Sequence, residues 1–244
     1  MGEAKRRKES GTPGPQKSEP KKRTWLPSAA VSLVAILLIG VFFITRPPSP
    51  DSGALPVTAD DAEAFPAQLD RYGVSVGAED APVVVREFAD YQCPACGRFA
   101  SASQRLKKQY VETGKVRFVF FDFPLKQHEN AMPAAQAARC AGDQDAYWPM
   151  HDRLFSAQSE WNTSSTPVEV FTRYAGELGL QERRFKSCLT SELHLEDVTQ
   201  SRQVAVQLRV ASTPTVMVDN IRLTQPGWAQ LSAVVKRELA GAVE

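Results

Sequence analysis

The sequence predicts an α/β fold, a β-α-β unit and a β-β-α unit separated by a block of helices, with a single transmembrane helix ahead of it. Three observations predict it. Two β-branched, apolar runs, Pro82 to Ala89 and Lys115 to Phe121, flank a helical stretch. Helical periodicity then dominates from about His128 to Val210, before a strand pair and a last helix. Finally, the run from Trp25 to Thr45 is long, apolar and free of charge.

Composition narrows the function classes. The chain has 244 residues, 43% hydrophobic and 23% charged, which is globular composition and excludes wholesale disorder. With 14 Gly and 17 Pro it is not collagen-like, and four Cys are too few for a disulfide scaffold. A mean hydropathy of -0.30 excludes a bundle of membrane helices while leaving room for one span. The net charge of +1 gives no electrostatic case for a nucleic-acid partner.

Residues 1–24 form a basic tail, with Lys5, Arg6, Arg7, Lys8, Lys17, Lys21, Lys22 and Arg23 against Glu3, Glu9 and Glu19. Residues 25–45 follow as the membrane anchor, because about twenty apolar residues at 1.5 Å each span a ~30 Å hydrocarbon core. Lys and Arg stay on the cytoplasmic side, so the N-terminus is inside and the folded part is extracytoplasmic in a single-pass cell-membrane protein. A cleaved signal peptide is the rival reading, with small residues at Ser52-Gly53-Ala54. The apolar run exceeds a usual signal h-region, which favours the retained anchor. Residues 46–68, rich in Pro, Ser and Asp, read as a linker, and residues 69–244 as one domain with a helical insertion at about 126–210.

Within that domain, Pro82 to Ala89 reads as a buried strand, and a helix from near Cys93 ends at Gly114, a common helix stop. Lys115 to Phe121 is the second strand, parallel to the first across the helix. Four or five helices follow, over AMPAAQAARCAG, DAYWPMHDRLFSA, PVEVFTRYAGELG and SELHLEDVTQSRQVAVQLRV. TPTVMVD and IRLTQ read as strands joined at Asp219-Asn220, and WAQLSAVVKRELA as the terminal helix.

The chemistry concentrates at Cys93-Pro94-Ala95-Cys96, where a strand ends and a helix begins. Two Cys three residues apart on a first helical turn share a face and can close a disulfide. Cys93 sits where free backbone N-H groups and the positive helix end stabilise a thiolate, so it is the nucleophile; Cys96, more buried, resolves. Pro94 fits the first helical position. Other C-x-x-C chemistries find less support. Haem attachment needs His where Gly97 stands, and zinc needs a second close ligand pair, whereas Cys140, Cys188, His128, His151 and His194 are scattered along the chain. An inert structural bridge in so small a ring would add little stability. No cofactor or metal is called for.

The stretches EFADYQCPACGRFA, PLKQHENAMPAAQAARCA with YWPMHDRLF, and STPTVMVD resemble the DsbA-like thiol-disulfide oxidoreductases, and in that family's order. The resemblance runs from Tyr72 to Glu244. It implies a thioredoxin fold with an inserted helical domain, Cys93 as attacking and Cys96 as resolving cysteine, and a cis Pro214 whose preceding residue, Thr213, pairs through its backbone with extended substrate. It also places at Glu87 a buried acid that moves protons to and from Cys96, with a plain surface carboxylate as the alternative. The most oxidising members carry His between the cysteines; Ala95 stands here, which implies less help to the Cys93 thiolate and a potential below ~-120 mV.

Cys140 and Cys188 lie in two different predicted helices beyond the anchor, and are expected to pair as a structural disulfide, with a second redox pair relaying electrons to Cys93 as the alternative. His128 reads as capping or packing; Tyr147, Trp148, His151, Phe155, Met132 and Met217 read as core. The first functional expectation is a monomeric, membrane-anchored oxidoreductase that forms disulfides in exported, cysteine-containing proteins and is reoxidised by a quinone-linked membrane partner implied by the resemblance. The alternatives are a reductase serving one client and a redox-inactive chaperone or binding module. The linker leaves no room for the N-terminal dimerisation domain of related isomerases, hence the monomer.

Overall fold

The computed structural model describes residues 55–56 and 64–242. The basic tail, the expected membrane span at 25–45 and most of the linker lie outside the described residues. Among the described residues no helix is long and apolar enough to cross a membrane.

The centre is a five-stranded sheet in the order β1-β3-β2-β4-β5. Its strands are β1 (Val74–Val76), β2 (Val83–Ala89), β3 (Val116–Asp122), β4 (Thr215–Val218) and β5 (Ile221–Arg222). β2 runs parallel to β3 and antiparallel to β4, so that Val85 lies between Phe118 and Val218. A central strand with both faces covered must be apolar nearly throughout, and six of the seven β2 residues are buried. The alternation sorts them. Val85, Glu87 and Ala89 share one face; Phe88, stacked on Phe121 at 4.5 Å, belongs to a second apolar cluster with Val119 and Val204 on the other.

Between β2 and β3 runs helix α1 (Pro94–Leu106), continued by a π-helical turn over Lys107–Val111. Gly114 follows at φ 71°, left-handed backbone that glycine adopts without steric cost, and the chain turns there into β3. The helical block contains α2 (Ala131–Gly142), α3 (Tyr147–Ser156), the single turn α4 (Gln158–Trp161), α5 (Pro167–Glu177), α6 (Glu182–Thr190) and α7 (Leu195–Gln207). The closing helix is α8 (Trp228–Gly241), packed on α1.

Four features differ from the sequence expectation. The block holds six helical segments rather than four or five, because α6 offers only Phe185, Cys188 and Leu189 as a narrow apolar stripe among charged residues. The last helix of the block begins at Leu195, four residues later than read, after Glu192 at φ 55°. β1, three residues long, escaped notice and pairs antiparallel with β3. Lastly, Phe65, read as linker, is buried, and the 3-10 turn Ala67–Tyr72 carries Asp70 into the fold. Asp70 receives Arg86 through two hydrogen bonds, of 2.7 and 2.9 Å, and Arg117 at 2.6 Å. A buried bidentate pair of this kind fixes the entering segment on the sheet more by geometry than by net energy.

Cys140 in α2 and Cys188 in α6 are bonded to each other, across 48 residues of sequence. Closing so long a loop restricts the unfolded chain. The double variant Cys140→Ala/Cys188→Ala is expected to lose about 4 kcal/mol of folding stability in the loop-entropy account, read as a lower urea midpoint, while keeping a reactive Cys93. A midpoint equal to that of the native chain contradicts the structural role.

Candidate active site

The site is built where β2 hands over to α1. Asp90 ends the strand, and its carboxylate, fully removed from solvent, accepts hydrogen bonds from the backbone N-H of Gln92 (2.7 Å) and of Leu125 (2.8 Å) and lies 2.8 Å from Nδ1 of His128. Its carbonyl oxygen accepts the N-H of Cys93 at 3.1 Å. Cys93 therefore arrives as the N-cap, in extended backbone, with Pro94 in the first turn and the N-H of Gly97 donating to its carbonyl at 3.1 Å. Both thiols are free; Cys93 retains 8% exposure and Cys96 none.

Facing them is the loop before β4. The Thr213-Pro214 peptide bond is cis, and the Cys93 sulfur lies 3.7 Å from the Thr213 carbonyl oxygen. The Thr213 hydroxyl is buried and has no hydrogen-bond partner among the described residues, which leaves it available to a thiolate. Pro214 and Ala95 line opposite walls of one small cleft. The structure thus brings Cys93, Pro94, Ala95, Cys96, Thr213 and Pro214 together.

Electrostatics divides the two sulfurs. Hydrogen bonds from the Cys96 thiol, the Thr213 side chain and the backbone N-H groups of Cys96 and Ala95 outweigh the cost of burial and pull the Cys93 thiol down from 9.0 to about 4. Burial, reinforced by the hydrogen bond to Cys93, pushes Cys96 far up instead. With Ala95 between the cysteines, the donors to the Cys93 thiolate are the Cys96 thiol first, then Thr213 and two backbone N-H groups. One thiol is a stable anion at neutral pH and its neighbour is held protonated.

Glu87 sits on the β2 face toward α1, fully buried, with the Ser103 hydroxyl donating to it at 2.7 Å. Burial raises its carboxyl to about 7, against the lowering effects of Ser103 and of Lys107. It also raises Cys96 by repulsion, which couples the two groups electrostatically. A carboxyl poised near neutrality beside a resolving thiol can both give and take a proton.

Several supporting contacts escaped sequence reading. Asp90 orders the loop from beneath, and His128, read as packing, is its partner. Gln158 in α4 reaches out of the helical block and donates to the carbonyls of Tyr91 (2.7 Å) and Cys93 (3.0 Å). Gly97 makes room for it: a Cβ there would lie 2.8 Å from the Gln158 side-chain oxygen. Gln92 binds the block in turn, through the Asn162 carbonyl and the Asn130 N-H. No local signal in sequence distinguishes such long-range amide contacts from surface Gln. His151 is buried among Phe120, Tyr91 and Phe155, with burial lowering it to about 4, as befits a neutral core imidazole.

His194, read as scattered from the other metal-ligating residues, lies beside Cys140 and Cys188, in the turn that joins α6 to α7 and within 3.0 Å of Asp143 at the end of α2. With the two sulfurs joined, that cluster offers one imidazole and no thiolate, so it does not constitute a zinc site.

The depressed Cys93 value has a direct consequence. Alkylation of reduced protein by iodoacetamide should label Cys93 at a nearly constant rate from pH 8 down to pH 5 and half as fast near pH 4, with Cys96 unlabelled. Because the folded value lies below the unfolded one, this thiolate stabilises the reduced fold fully above pH 9.0 and progressively less down to about pH 4. An alkylation midpoint near 8.5 contradicts the geometry.

Residues 70–237, more than half of the chain, match the family model described as Thioredoxin. The "Probable disulfide bond formation protein D" of Bacillus anthracis is 32% identical over 171 residues, covering 68% of this chain and 77% of that protein. A Na(+)/H(+) antiporter NhaA 3 of Salinispora tropica is 36% identical over 168 residues, 68% of this chain but 24% of its own length, so the likeness concerns only that quarter. The crystal structure of oxidised BdbD from Bacillus subtilis superposes with a TM-score of 0.64 at 23% identity, over 77% of this chain and 100% of that one, and shows the shared fold. The chain belongs to the thioredoxin family, as a DsbA-like thiol-disulfide oxidoreductase.

Proposed function

We propose that this oxidoreductase is a disulfide oxidase, held at the cell membrane by residues 25–45 with its domain outside, that introduces disulfides into exported, cysteine-containing proteins. The observation that carries the reading is the division between the sulfurs, a Cys93 thiolate stabilised to about 4 beside a Cys96 thiol driven upward. Stabilising the anion stabilises the reduced form, which makes the oxidised form a stronger oxidant.

Exchange would proceed in two steps. A substrate thiolate attacks Cys93 Sγ, forming a mixed disulfide and breaking the Cys93–Cys96 bond; the electron pair leaves on Cys96, which takes a proton from Glu87. A second substrate thiolate then attacks the substrate sulfur of the mixed disulfide, forming the substrate disulfide and releasing Cys93 as its thiolate. Two substrate thiols are oxidised and one protein disulfide is reduced. Thr213 would hold the substrate backbone in extended form, giving broad specificity through main-chain hydrogen bonds. Cys140–Cys188 braces the helical block, and the reduced monomer would pass its electrons to a quinone-linked membrane partner.

The test is the reduction potential of the full chain in neutral detergent, equilibrated in glutathione buffers with Cys93→Ser as control. The oxidase reading expects a value between about -200 and -120 mV. A value near or below ~-270 mV favours a reductase for one client, and an inert Cys93 favours a binding module.

A further inference from the structure

We infer that the cleft beside the cysteine pair is a side-chain subsite in which Arg98 selects substrate cysteines flanked by an acidic residue. The inference rests on the disulfide-exchange reading above and names its preferred substrate class. The cleft, about 330 Å³, lies between the first turns of α1 and the cis-proline loop, with Ala95, Arg98 and Phe99 on one wall and Thr213, Pro214 and Pro226 on the other. Ala95, Arg98 and Phe99 fall at helical spacings of three and four residues, so one face of α1 presents all three.

Five of the six lining residues are uncharged and Arg98 is the only ion. It is exposed, and among the described residues it has no ion pair or hydrogen bond. Other arginines of the domain are committed: Arg86 and Arg117 to Asp70, Arg139 to Asp122. Apolar walls lower the local dielectric and strengthen attraction for an incoming carboxylate.

Position relative to the chemistry supplies the rest. The Cys93 sulfur lies 3.7 Å from the carbonyl of Thr213, itself a lining residue. A substrate strand whose cysteine is bonded to Cys93 therefore runs past the cleft mouth. Side chains on one edge of a strand recur about every 7 Å, within reach of a guanidinium on its flexible stem. The exchange itself is unchanged. The substrate sulfur bonds to Cys93 Sγ as the Cys93–Cys96 bond breaks and Cys96 takes the proton, while the neighbouring carboxylate pairs with Arg98.

The test uses the oxidised full chain in neutral detergent and single-cysteine peptides carrying Glu, Gln or Lys beside the cysteine. Each second-order rate is divided by the same peptide's rate with hydroxyethyl disulfide, a neutral reference that removes differences in intrinsic thiol reactivity. The normalised preference for Glu over Lys is expected to be about fivefold at low salt, to shrink at high salt, to vanish in Arg98→Gln and to reverse in Arg98→Glu. Equal rates in the native chain, or a preference that survives Arg98→Glu, overturn the subsite and leave disulfide exchange standing. If no peptide reacts at all, the exchange reading falls and the subsite with it.

Discussion

The Cys93 sulfur lies at the start of α1, where backbone N-H groups have no helical partner, and stabilisation of its anion there is the constraint on which the chemistry depends. A thiolate held at about 4 is present at every physiological pH. What makes this directional is asymmetry. Cys96, three residues on, is wholly buried and driven the other way, so negative charge released in exchange settles on Cys93. Two chemically identical side chains receive separate roles from their burial and from the hydrogen-bond donors around them.

The surrounding structure holds that asymmetry in place. Asp90 below the loop, Thr213 and Pro214 opposite, and Gln158 from the helical block fix the backbone on both sides of Cys93. The helical insertion thus does more than cover the sheet, because one amide from α4 ties it to two carbonyls of the active-site turn. Glu87, buried under α1, answers the complementary need: near 7, it can exchange a proton with the thiol that must be neutral. The carboxyls of Asp90 and Glu87 are expensive to bury, and each has its polar partner.

Much of this was legible in the sequence because local rules carry it. The two apolar runs around a helix gave β2 and β3 with α1 between them, and Asp219-Asn220 marked the β4–β5 turn. Cys-Pro-Ala-Cys after a strand carried both its position and its chemistry. What escaped was short, polar or long-range. β1 is too brief to show alternation, α6 hides three apolar residues among charges, and Phe65 joins the fold from a stretch that reads as linker. Asp90 and Gln158 act across 35 and 65 to 67 residues of sequence, which no window detects.

The central claim is that the fold favours the reduced, anionic pair. It is tested most directly by comparing the unfolding free energies of the Cys93–Cys96 dithiol and disulfide forms at pH 7, in the Cys140→Ala/Cys188→Ala background so that only this pair changes. Anion stabilisation requires the dithiol form to be the more stable, against the ordinary effect of a cross-link. A disulfide form more stable than the dithiol would contradict the account.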